Sequence, residues 1–432
     1  MTDKTKRKQF ILCFSAFVTN GMLALSIGSL LPFLRDAFGL DYAFCGLLVS
    51  LHSIGNLCSS FFSGALPMLI GKKKSILFFE SFFPISFLLI LLGNYRFLLV
   101  FSFLATGIAR GASSNYCNAK INSIATGMAW ALNCLHAFFA VGAFLFPLIL
   151  MLITRNESQN WVYACVFLAV LGVMTCLFYY LMPEDAESGS HSDKKKPVDK
   201  SSDISADQDM SPKTSGAYQA NERTPGKPAA AFGFFREPLF YICIATLFFY
   251  LCAEQGVIGW MITYFKDTGL LQPNLAQVTA SILWVMILLG RLTTAFLSTK
   301  VKKENLLPAM GVGIVLFFIV LILSRTTLPI IIGIIGFGFS MAGIYATTVS
   351  FAGELIRKYS LAWSFILTSA SLGSIVMPTI VGVIAENFGI ATGIGSIAIA
   401  LFIDMICIMV LVRFVKRTGH VKEDSTSVAQ AV

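Results

Sequence analysis

Long stretches of this chain carry almost no charge, and what interrupts them is regular: an apolar run of about 20 residues, a short polar or lysine-bearing turn, then another run. About 20 helical residues cover the hydrocarbon core of a bilayer. Twelve such runs are predicted, at 10–34, 43–70, 75–92, 97–119, 128–153, 161–182, 239–265, 275–299, 306–323, 328–353, 361–385 and 390–412. The fourth is the most polar, because it contains Arg110. Between the sixth and seventh lies one long polar stretch, 183–236, rich in Ser, Asp, Lys and Pro. It has nothing with which to bury a core and is predicted to be a disordered linker. It separates a first half, 1–182, from a second, 237–432, that ends in a short tail.

Composition strengthens this picture. Of 432 residues 56% are apolar and 13% charged, with 39 Phe and a mean hydropathy of +0.76. Soluble chains average about 25% charged residues, so a soluble enzyme and a nucleic-acid module are excluded. The net charge of +9 is distributed by topology. Lys4, Lys6, Arg7, Lys8, Lys72, Lys73, Lys74, Lys120, Lys300, Lys302, Lys303, Arg357, Lys358, Arg413, Lys416, Arg417 and Lys422 fall on one side of the predicted spans; Arg35, Arg96, Arg155, Lys266 and Arg325 fall on the other. The basic side is expected to be cytoplasmic, which puts both termini and the linker there. The basic N-terminus runs into the first span without a small-residue cleavage site, so that span is expected to stay as an anchor. Ten Cys, most of them inside apolar runs, show no metal-ligand spacing and read as packing residues.

The two halves repeat. Gly55 to Gly64 (GNLCSSFFSG) in span two lies over Gly290 to Thr299 (GRLTTAFLST) in span eight, each followed by a lysine-rich turn. Trp130, Gly142 and Pro147 of span five answer to Trp363, Gly373 and Pro378 of span eleven. Repeats of this kind place a substrate path at the interface between the halves. Twelve spans, a six-plus-six repeat and a polar central loop resemble the major facilitator superfamily. More narrowly, Asn133, His136, Phe138-Phe139, Gly142-Ala143 and Pro147 in span five, with Phe249-Tyr250, Ala253-Glu254, Gly259-Trp260 and Tyr264 in span seven, resemble the fucose permease type of sugar:proton symporter. The fold expected is therefore all-α, with twelve transmembrane helices in two six-helix pseudo-repeat halves. The chain departs from that family in lacking acids in spans one and four, where Asn20, Ser113, Ser114 and Asn118 stand, and in the turn after span two, where Gly71 and Lys72–Lys74 stand.

A charge near the bilayer centre costs at least ~2.5–3.5 kcal/mol, so each one needs a partner or a wet cavity. Glu254, mid-span in span seven and at a position type that the resemblance places on the cavity, is the candidate proton carrier; the alternative is a protonated carboxyl bonded to backbone. His136 is the second coupling candidate, or a helix-packing residue. Arg110 offers a fork for a carboxylate, phosphate or hydroxyls, or pairs with an acid such as Glu254. Asn115, Asn118 and Asn133 offer amides, and Tyr250 and Trp260 ring faces, to a sugar. Arg291 and Glu354, toward the basic ends of spans eight and ten, suit an inner gate. Glu80 and Asp404 read as structural, and His52 has no assigned role.

The sequence contains no phosphate-cradling loop, nucleophile elbow or metal-spaced cluster, so no enzyme activity, cofactor or metal is expected. The function expected is secondary active transport of a small polar solute, a sugar first, coupled to protons across a cell membrane by a monomer whose partners are solute, protons and lipid. Proton-driven efflux of drugs, uptake of organic anions on Arg110 and a transport-dead receptor are the alternatives.

Overall fold

A computed structural model describes residues 3–93, 95–125, 129–183, 232–359 and 361–418. Most of the expected linker, Met128 at the start of the fifth predicted span, and the C-terminal tail lie outside the described residues. All twelve spans form helices: Asp3–Phe38, Tyr42–Ile70, Lys72–Leu91, Arg96–Ile124, Ala129–Thr154, Trp161–Leu181, Pro238–Asp267, Pro273–Leu297, Lys303–Leu323, Thr327–Phe351, Ala362–Phe388 and Ile390–Thr418. No strand occurs among the described residues.

Local chemistry sets the helix ends. Asp41 caps span two, its carboxylate accepting the Phe44 N–H at 2.6 Å, and Pro238 and Pro273 open spans seven and eight where a missing N–H costs nothing. Span one begins seven residues before the predicted limit (10 minus 3), because a helix already formed extends readily through Lys, Arg and Gln. Span ten is broken: Thr327–Met341 and Ile344–Phe351 are separate helices. The break falls at Gly343, against which Thr294 and the Met310 sulfur pack too closely for a side chain. A further short helix, Gly353–Lys358, carries Glu354.

The repeat seen in the sequence recurs as equivalent helix contacts. A Cβ on Gly142 would overlap the carbonyl oxygen of Val18 in span one, and one on Gly373 would overlap that of Phe248 in span seven. Gly55 meets Leu104 of span four in the same way, and Gly290 meets Phe339 of span ten. The same small-residue device thus brings spans one and five, and spans two and four, into close contact in each half. The halves meet through spans one and seven, two and eleven, and five and eight. Phe61, Phe62, Phe101, Leu152, Tyr163, Leu292 and Phe402 are exposed around the outside, where lipid, not water, covers them.

The polar stretch expected to run from 183 to 236 ends earlier than predicted. Gly233–Arg236 forms a turn of helix, and Phe234 is buried with its ring 4.9 Å from Phe240 and 5.4 Å from Phe365. Beside it Lys358 Nζ donates to Glu237 Oε1 at 3.0 Å. Three phenylalanines within four residues (Phe232, Phe234, Phe235) supply the apolar surface that the rest of the stretch lacks.

Candidate functional site: a cavity between the halves

An even number of spans brings both termini to one end of the molecule. At the opposite end the halves are tied together. Arg35, at the end of span one, pairs with Asp267 at the end of span seven, and Lys266 Nζ reaches back to Asp36 at 2.5 Å. The Tyr42 hydroxyl donates to Asp267 at 2.8 Å, and the Tyr42 N–H donates to Glu386 at 2.7 Å. Deeper in, Ser50 and Thr379 share a hydrogen bond at 2.8 Å, and spans two and eleven touch where Gly46 and Gly382 face the Pro378 and Tyr42 carbonyls. A cation-acid dipeptide, Arg35-Asp36 or Lys266-Asp267, closes the first helix of each half, and the two pair crosswise. The repeated dipeptide is the sequence signal for this lock, and it makes Arg35 and Lys266 partners across the halves as well as loop charges.

Away from the lock the halves diverge around a cavity of about 1350 Å³. Its lining reaches Lys300, Lys302 and Lys303 in the turn after span eight, so it opens at the end bearing the termini. Arg110 and Ser114 of span four, His52 of span two and His136 of span five line it from the first half. Tyr250, Glu254 and Gln255 of span seven, Trp284 and Arg291 of span eight and Tyr345 of span ten line it from the second. Tyr250 and Glu254 stand one turn apart on one helix face, and the Tyr250 hydroxyl donates to Glu254 Oε1 at 3.2 Å. Arg110, His136 and Arg291 share the lining with Glu254.

Of the residues expected at the site, Arg110, His136, Tyr250, Glu254 and Arg291 line this one cavity. The others lie elsewhere. Asn115 donates to the Ser63 hydroxyl at 2.9 Å, and Asn118 donates to the Ser114 carbonyl at 2.8 Å within its own helix; both amides serve helix packing. Asn133 is exposed outside the lining. Trp260 is fully buried, its Nε1–H donating to the Pro378 carbonyl at 3.0 Å and its ring 6.1 Å from that of Tyr42, so it joins spans seven and eleven within the second half and packs against span two beside the lock. Glu354 is exposed on its short helix and does not line the cavity, whereas Arg291 does. Asn20 donates to the Ser114 hydroxyl at 2.9 Å and to the Arg110 carbonyl at 3.3 Å, so it holds the turn of span four that carries Arg110. Gln255 and His52 line the cavity without any sequence signal that sets them apart from their neighbours, and Trp284, one of several aromatics able to stack on a solute, lines it where Trp260 does not.

Two six-helix bundles joined at one end and parted around a cavity at the other are the architecture of a membrane transporter. Residues 10–360 match the model of the Major Facilitator Superfamily, and the chain belongs to that family. The glucose/mannose transporter GlcP of Bacillus subtilis is 24% identical over 390 residues, covering 87% of this chain and 88% of that protein. A TsgA homolog of Yersinia enterocolitica is 20% identical over 97% of this chain and 99% of its own. Among solved structures, a bacterial homolog of the human lysosomal transporter Spinster, in an inward-facing and unoccupied conformation, superposes with a TM-score of 0.75 over 96% of this chain and 98% of that one, at 13% identity. The nucleoside transporter NupG superposes at 0.73 over 94% and 99%, also at 13% identity.

Proposed function

We propose that this protein is a secondary transporter that carries a small polar, sugar-sized solute across a cell membrane by alternating access, coupled to protons at Glu254. The observation that supports it best is a cavity between the repeats, open at one end and held shut at the other by crosswise ion pairs, with an acid among its lining groups. In this reading the open end, the lysine-rich turns and both termini face the cytosol. The name of the Bacillus relative puts sugars first among the solutes to test. Solute entering the cavity favours closure behind it, and the lock at the far end then parts.

Glu254 suits the coupling role because it lines the cavity beside Arg110 and Arg291 and accepts from the Tyr250 hydroxyl. Glu254→Gln keeps the shape and removes the titration. In proteoliposomes, accumulation driven by a pH gradient should vanish while exchange of solute down its own gradient survives. Unchanged accumulation would move the coupling to His136 or remove it.

A further inference from the structure

The charges that line the cavity do not balance. Arg110 and Arg291 line it from opposite halves, neither forms a salt bridge with a described residue, and two carboxyls share the lining, Glu254 in span seven and Glu304 at the mouth beside Lys302 and Lys303. A guanidinium stays charged at any attainable pH. With Glu254 ionised the pair keeps one uncompensated positive charge, and with Glu254 protonated it keeps two, an arrangement that a membrane interior penalises unless a counter-ion arrives. Lys300, Lys302 and Lys303 at the mouth would also attract an anion, but membrane topology already accounts for them.

A second observation is independent of the charges. Trp284 and His52 line the cavity at 7% and 4% exposure, and Trp284 Nε1 and His52 Nε2 have no hydrogen-bond partner. Their roles differ. Trp284 can only donate. The Thr106 hydroxyl already donates to the Phe103 carbonyl at 2.6 Å, so its oxygen accepts the 2.9 Å bond from His52 Nδ1–H. In the neutral ring His52 Nε2 is therefore an acceptor, complementary to a hydroxyl on the solute.

Resting on the transport reading above, we infer that the solute is an anion: a sugar-sized hydroxy acid or its phosphate ester, held by its anionic group between Arg110 and Arg291 beside Trp284 Nε1–H, with a hydroxyl donating to His52 Nε2. Glu254 is then the internal counter-ion: a singly charged carboxylate balances the two guanidiniums while Glu254 stays ionised, and a phosphate dianion balances them once Glu254 is protonated. The groups that face Glu254 are Tyr250 and Gln255 on its own span, Arg110 from span four, Arg291 from span eight and Tyr345 from span ten, with Asp404 of span twelve acting on Tyr250. A neutral sugar would leave the excess charge unanswered.

The test uses the purified full chain, with glucose, glucuronate and glucose 6-phosphate as probes, read by thermal stabilisation and by counterflow in proteoliposomes. Glucuronate or glucose 6-phosphate should bind, which one distinguishing carboxylate from phosphate, while glucose should not. Arg110→Gln and Arg291→Gln should each weaken anion binding by roughly ten- to a hundredfold, the size of a charge-assisted hydrogen bond, with a smaller loss in Arg110→Lys. Melting curves without ligand establish that each variant is folded. Glu254→Gln should bind the anion at least as tightly as the parent at neutral pH, a result not expected if Glu254 accepted a sugar hydroxyl. Binding and counterflow of glucose with neither anion, unaffected by Arg291→Gln, would overturn the inference and leave the transport reading standing. Folded protein that moves none of the three would count against both.

Discussion

Gly142 and Gly64 have opposite expectations, although each is one glycine in a long helix. At Gly142 the backbone of span one occupies the place a methyl group would take, and at Gly64 nothing lies within 4 Å. Gly142→Ala must push two helices apart and should destabilise the first half by about 1–3 kcal/mol, the cost of overpacking. Gly64→Ala should be neutral or stabilising by up to about 1 kcal/mol, through helix propensity alone. Thermal unfolding in detergent separates them: the melting temperature should fall for the first and hold or rise for the second. A fall of equal size in both would show that the close approach at Val18 carries no stability. The same logic predicts that Gly373, against Phe248 in the second half, behaves like Gly142.

Among elements, spans one and seven matter most to the transport cycle, because their far ends hold each other. The Arg35 and Asp267 side chains are 21% and 10% exposed, so this pair is better shielded from solvent than a surface ion pair, which contributes about 0–1 kcal/mol. Asp267 also accepts from Tyr42. Asp267→Asn should therefore weaken the closed far end by about 1.5–3 kcal/mol, typical of hydrogen bonds to charged groups. The population open at that end should rise by roughly ten- to a hundredfold. Spin labels at the far ends of spans one and seven would report a longer distance, and Arg35→Asp combined with Asp267→Arg should restore the short one. A distribution unchanged by Asp267→Asn would place the closure in the Gly46–Gly382 contact and not in the ion pairs.

At the scale of the whole molecule, each half closes its own helices and the interface between them is built from spans one, two, five, seven, eight and eleven. Among the described residues, those that line the cavity and form the lock belong to the spans and the turns between them, and residues 184–231 are the linker expected from the sequence. Replacing those residues with a flexible linker of about 20 residues, which spans about 25 Å root-mean-square, should leave flux intact provided Phe232 to Arg236 are kept. Removing Phe234 as well should cost stability, since its ring packs against Phe240 and Phe365. Flux measured at matched expression decides between a passive tether and a working part.

The bilayer makes much of this architecture legible in one dimension. A spanning helix must be apolar over about 20 residues because lipid offers its backbone no hydrogen-bond partner, so the number of spans, their grouping into halves and the internal repeat could be read from the chain. For the same reason Arg110, Glu254, His136 and Arg291 stood out against an apolar background, and all four line the cavity. What the chain could not specify is how each helix is rotated about its own axis, since that depends on which neighbour it packs against. Six positions along a helix turn it by about 240°, which takes Trp260 away from the face of Glu254 and into the contact with Pro378. Asn115, one residue past Ser114, turns by about 100° out of the cavity and meets Ser63 of span two instead. The pairing of Arg35 with Asp267 likewise joins residues 232 positions apart, and only the packing of one half on the other brings them together.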